Sequence, residues 1–240
     1  MKEKFQQMFR NVNPAIIIIL LVLVGNSLMR SGRSIGDWFY ETLIMLPGIV
    51  IGLTFHEAAH GYVSYWLGDP TPKLQGRLSL NPARHIDPIG FVALLIAGFG
   101  WGEPVQINPA YYKHRRRDEF LVSIAGVTMN FLIALVTSFI IKGLLRVMSQ
   151  SFYAGFGSIL IDVLLYVFLI NIVLMIFNLL PVPPLDGFGI LTQIFNLQQY
   201  PWYYTLYHNG FFILMILIIF NVTDWIISPC SSFFYRLLLL

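Results

Sequence analysis

Long, sparsely charged apolar runs restrict this chain to a bundle of membrane-crossing helices. Phe120–Met148, Ile159–Leu180 and Trp202–Ile227 each have the length to cross a hydrocarbon core as a helix, which takes about 20 residues. Trp38–Leu67 is another such run, and Pro14–Met29, built on Ile16–Leu23, is slightly short for a ~30 Å core. The composition agrees: 57% of the 240 residues are hydrophobic and 11% charged, against about 45–50% and about 25% in soluble domains. Ile89–Trp101 is apolar but too short to span, which predicts a re-entrant or interfacial segment. Gly68–Pro88 is polar and rich in turn formers. Lys73–Gln75 and Arg77–Leu80 flank Gly76 there, and with Pro104–Ile107 they predict a small membrane-associated β-ribbon. The expected fold is an α-helical polytopic membrane protein of about five or six transmembrane helices, with that ribbon and one re-entrant segment. We read it as a single domain, with a core over 39–190 flanked by helices over 14–29 and 202–227. The tail Ser228–Leu240 is apolar and brief.

Charge placement gives an orientation. The leader Met1–Asn13 carries Lys2, Lys4 and Arg10, and Lys113, Arg115, Arg116 and Arg117 form a second basic cluster. Both belong on the cytoplasmic side; Arg30 and Arg33, placed outside, dissent. Pro14–Met29 lacks a small-residue cleavage site after it and reads as a retained anchor. The net charge of +3 implies no nucleic-acid partner, and Cys230 alone can form neither an internal disulfide nor a Cys-rich metal site.

Inside the second run stands Phe55-His56-Glu57-Ala58-Ala59-His60-Gly61. Residues four apart on a helix lie one turn apart on one face, so His56 and His60 can offer nitrogens to one ion, with Glu57 beside the bound water. Two histidines and an adjacent glutamate form the arrangement of zinc hydrolases; two structural helix histidines are the bland alternative. Such a site needs one more protein ligand. No further histidine follows His60 at metzincin spacing, and Glu103 and Glu119, the later glutamates, lie in polar segments. After residue 130 the acids are Asp162, Asp186 and Asp224. Asp186 closes Asn178-Leu-Leu-Pro-Val-Pro-Pro-Leu-Asp186-Gly187, where prolines break a helix at membrane depth. Irregular backbone is tolerated there only against protein or a water-filled cavity, and an acid in such a place points to function. His85, in the turn-rich loop beside Asp87, is the rival ligand.

These residues together resemble the site-2 protease family of intramembrane zinc metalloproteases. The compact prokaryotic branch is similar also at Leu67-Gly68-Asp69-Pro70, at Gly76-Arg77-Leu78-Ser79-Leu80-Asn81-Pro82 and at His85-Ile86-Asp87-Pro88. Gly102-Glu103-Pro104-Val105-Gln106-Ile107-Asn108-Pro109 extends the likeness. It covers about residues 52 to 190. The resemblance implies His56, His60 and Asp186 as ligands of one Zn2+, Glu57 as catalytic base and Asn178 as a polar active-site residue. In Ala125-Gly126-Val127-Thr128-Met129-Asn130, Val127 stands where the family usually has proline. The PDZ or CBS domain of many relatives is not found.

The expected activity is hydrolysis of peptide bonds in or near transmembrane segments, with transmembrane proteins or membrane peptides as substrates and the bilayer as setting. A zinc transporter or metal-holding scaffold is the alternative from another class, and a membrane metallohydrolase acting on a lipid or small amide is a third. A transporter has no need of Glu57 beside the ligands. It usually also lines a path across the whole bilayer with polar residues. The expected location is a prokaryotic cell membrane, with the site towards the cytoplasm.

Overall fold

A computed structural model describes residues 34–97, 102–149 and 153–240. The leader, the run over 14–29, Arg30, Arg33 and the end of the segment over 89–101 lie outside the described residues. The described residues divide into two compact units, one of 34–43, 87–97 and 102, the other of 44–86, 103–149 and 153–240. In the first, α3 (Pro88–Ala97) is a ten-residue apolar helix, whose start is fixed by the Asp87 carboxylate accepting from Gly90 N–H at 2.7 Å.

Four described helices are long and apolar enough to cross a membrane. They are α1 (Ile35–Trp66), α4 (Arg115–Val147), α5 (Ser158–Asn178, continuous with the preceding turn) and α7 (Pro201–Ile219). The protein is a helical polytopic membrane protein.

The second unit packs α4 against α5 around Val127, Ala134, Ile141, Phe168, Ile172, Met175 and Ile176. Two glycines of α1 lie directly against α5. A β-carbon on Gly48 would stand 2.9 Å from the Tyr166 carbonyl oxygen, and one on Gly52 2.6 Å from Leu174 Cδ1. Small residues four apart are how membrane helices approach closely, since lipid offers no hydrophobic drive to associate. Gly48, Gly52, His56, His60 and Ser64 recur every fourth residue of α1, so the packing face leads directly into the histidines.

Two expectations are corrected. Among the described residues there is no β-ribbon. Thr71–Leu74 is a short helix, α2, begun by prolines and ended at Gly76, whose φ is +67°. Proline at the first helical positions presets helical φ and lacks a donor that would go unpaired there. Beyond it the donors find local partners, Arg77 N–H on the Pro72 carbonyl at 2.8 Å and Ser79 N–H on the Arg77 carbonyl at 2.9 Å. The tail is also more than a brief end. The chain turns over 220–223, with Asn221 at φ +54°, and continues as α8 (Asp224–Leu239). Phe234, Tyr235, Leu238 and Leu239 of α8 pack against the α4–α5 core.

Candidate metal centre

Three side chains from two parts of the fold converge. His56 and His60 project from α1, and Asp186 opens α6 (Asp186–Phe195). The loop from 179 to 185 doubles back tightly after α5. A β-carbon on Gly187 would lie 2.6 Å from the Leu180 carbonyl oxygen, so only glycine admits this return. It carries Asp186 to the histidines: Asp186 Oδ2 is 3.2 Å from His56 Nε2 and 3.3 Å from His60 Nε2, and the two nitrogens are 3.1 Å apart.

The fit to a metal ion follows from where the protons are. His56 Nδ1 faces the Asn130 oxygen at 2.6 Å, and His60 Nδ1 the Val122 carbonyl at 2.8 Å. Both partners accept, so each ring donates from Nδ1 and turns a bare Nε2 lone pair inward. Asp186 Oδ2 is buried and no donor reaches it. Three mutually facing acceptors in a buried site need a cation between them. Donors about 2.1 Å from a tetrahedral centre stand about 3.4 Å apart, close to the spacing seen. The donor set fits zinc. Gly126 of α4 leaves the room the imidazoles fill: a β-carbon there would lie 2.5 Å from both His56 Cε1 and His60 Nε2.

Glu57 follows His56, and its Oε2 accepts Val105 N–H at 3.0 Å. Asn178 sits at the end of α5, where its amide nitrogen donates to the Leu174 carbonyl at 3.0 Å. His85 is fully buried with Nε2 on the Ser79 carbonyl at 2.6 Å. It is not part of the cluster of potential metal ligands, which holds His56, His60 and Asp186.

The Val105 segment is held to α1 by a buried carboxylate. Asp69 accepts from Ser64 Oγ at 2.9 Å, Thr71 N–H at 2.9 Å and Asn108 N–H at 2.7 Å, and Ser64 Oγ also bonds Tyr112 OH at 2.8 Å. Burial raises the Asp69 carboxyl, and these donors more than reverse it, leaving it below its ordinary value. Burial pushes the Tyr112 phenol up to about 12, with the Asp69 charge adding to the effect against the Ser64 bond.

Residues 141–220, which include Asp186, match the model of Peptidase family M50. A Bacillus subtilis (strain 168) protein bearing the name zinc metalloprotease YwhC is 41% identical, over 65% of this chain and 73% of its own length. The chain belongs to the site-2 protease family. Two further members, both carrying the name zinc metalloprotease Rip2, are each 27% identical. The match covers 74% of this chain and 67% of the protein from Mycolicibacterium smegmatis, and 80% and 74% for that from Mycobacterium tuberculosis. No solved structure matches.

Several residues around the centre of this M50 protein escaped the reading of the sequence. The glycine pair at 48 and 52, four apart in an apolar run, was a readable packing signal. Asn171 was a polar residue inside a span, which is itself a signal of function; Asn130 already stood in the stretch that carries the resemblance, but that its partners are His56 and Asn171 depends on how three helices meet.

Proposed function

We propose that this chain is a zinc-dependent intramembrane endopeptidase in which His56, His60 and Asp186 hold the ion and Glu57 is the general base. The observation that carries the reading is the convergence of three buried, proton-free acceptor atoms next to a carboxylate that is not one of them. When bound, zinc supplies Lewis-acid chemistry, acidifying a water and polarising the scissile carbonyl. Glu57 takes the proton from the attacking water and passes it to the leaving amine. The Val105 N–H fixes one Glu57 oxygen, leaving the other for that transfer. Asn178, once its amide turns from Leu174, is a donor for the developing oxyanion.

A substrate helix must unwind before its peptide bonds are open to attack. We assign the segments 77–80 and 104–107 to hold the unwound stretch by strand addition on binding. Proline placed at Leu78 or Ile107 is then expected to slow cleavage while zinc content stays unchanged, and normal cleavage by both would remove this role. We read the chain as one protease domain with a core over 39–190. The basic run Lys113–Arg117 orients the site towards the cytoplasmic face. The substrates are membrane proteins or membrane peptides.

The test is cleavage of a single-span substrate by the full chain in proteoliposomes, before and after chelation. Loss of cleavage on chelation and its return with zinc support the reading; cleavage unaffected by complete zinc removal opposes it. Zinc transport without cleavage in the same vesicles would favour the transporter.

A further inference from the structure

The two histidines are oriented by different kinds of partner. His60 faces a backbone carbonyl, which can only accept, so its tautomer is settled by the fold of α4. His56 faces the side-chain amide of Asn130, which offers an oxygen at one end and a nitrogen at the other. If that amide were turned over, its nitrogen would donate to His56 Nδ1. The ring proton would then sit on Nε2, aimed at Asp186, and the ring would lose its lone pair for a metal. Something must hold the amide one way round.

Two acceptors do so. Asn130 Nδ2 donates to the Gly52 carbonyl at 3.1 Å and to Asn171 Oδ1 at 2.9 Å. The second of these is again an amide, and it too is fixed: Asn171 Nδ2 donates to the Val167 carbonyl of its own helix at 2.8 Å. The chain of bonds therefore runs from the Val167 carbonyl through Asn171 and Asn130 to the Nδ1 proton of His56, with one polarity throughout. Asn130 and Asn171 are fully buried and His56 nearly so. A reversed amide would set oxygen against oxygen at two contacts without water to relieve them. The relay joins α1, α4 and α5 at the depth of the centre.

We propose that Asn171 is a positioning residue for the metal centre. Two hydrogen bonds removed from the His56 ring, it holds that ring in the metal-binding tautomer through Asn130. The inference rests on the reading that His56 is a zinc ligand. Outer partners that orient ligating histidines typically change metal affinity by about 10–100-fold when removed.

Zinc affinity of the purified full chain in detergent, measured by competition with a chromophoric chelator at fixed pH, tests the relay. Asn171→Leu is expected to weaken zinc binding about 10-fold and Asn130→Leu up to about 100-fold. The double variant should be no weaker than Asn130→Leu alone, because Asn171 acts only through Asn130. Asn171→Asp, which keeps an acceptor oxygen for Asn130, should lie nearer wild type than Asn171→Leu, and it serves also if the leucine variant does not fold. Wild-type affinity in Asn171→Leu, or losses that add in the double variant as they would for independent packing effects, would overturn the relay. His56→Ala separates the two levels. If it retains zinc with wild-type affinity, the ligand reading itself fails; if it loses zinc while Asn171→Leu does not, the relay alone fails.

Discussion

A β-carbon on Gly126 would stand 2.5 Å from both His56 Cε1 and His60 Nε2, so the absence of a side chain at this point of α4 is part of the candidate metal centre. The atoms in the way belong to rings pinned by Asn130 and Val122 and cannot move aside without giving up those bonds. Gly126→Ala is therefore expected to lower zinc affinity by at least about 10-fold while the helices still form. Chelator competition beside a circular dichroism spectrum checks this; wild-type zinc affinity in the alanine variant would mean the rings have room that the geometry denies them.

The glycines of α1 allow a sharper comparison. At Gly48 the obstacle to a methyl group includes the Tyr166 backbone carbonyl at 2.9 Å; at Gly52 the nearest atom is the end of the Leu174 side chain, which can rotate away. Overpacking against a fixed neighbour costs about 1–3 kcal/mol, whereas alanine in place of glycine gains roughly 1 kcal/mol in a helix interior. Gly48→Ala should destabilise the protein, and Gly52→Ala should be close to neutral. Thermal unfolding of the two variants in one detergent gives the order, and the reverse order would place the close approach of α1 and α5 elsewhere.

Asp69 carries the pH dependence outside the membrane spans. Its folded carboxyl lies below its ordinary value, which is about 3.9 when unperturbed. Its contribution is fully present above that value and is lost as pH falls through the lower folded one. Stability from this source should be flat from neutral pH down to about 5 and fall only below about 4. Asp69→Asn sets an amide nitrogen or a single acceptor against the donors of Ser64, Thr71 and Asn108, and unfolding should come earlier by about 2 kcal/mol at neutral pH, a gap that narrows below about pH 4 as the wild-type carboxylate protonates. Melting curves of wild type and variant between neutral and acid pH read both effects.

How far the sequence could be read depended on how local each signal was. HEAAH and the proline-broken stretch before Asp186 were legible because spacing on a helix and a missing helix donor are properties of neighbours in sequence. The β-ribbon failed for the same reason in reverse: Gly76 and its flanking residues suggested paired strands, but Pro70 and Pro72 start a helical turn there instead. The tail from Ser228 looked too brief to count, because its helix begins at Asp224 after the turn at 220–223 and its packing partners lie in α4 and α5. Asn130 and Asn171 are 41 residues apart, and no local pattern shows that one amide fixes the other.

The role of Glu57 is the point on which the proteolytic reading turns. It stands beside the proposed ligands, outside the cluster of His56, His60 and Asp186, and bonds Val105 N–H instead. Glu57→Gln keeps that hydrogen bond through its amide oxygen and removes only the capacity to take a proton. The decisive measurement is cleavage of a reconstituted single-span substrate by wild type and Glu57→Gln, with zinc content determined on the same samples. We expect equal zinc in both and a loss of cleavage of at least about 100-fold in the variant; equal cleavage by the two would show that Glu57 is not the base and that the protein does not hydrolyse peptides in this way.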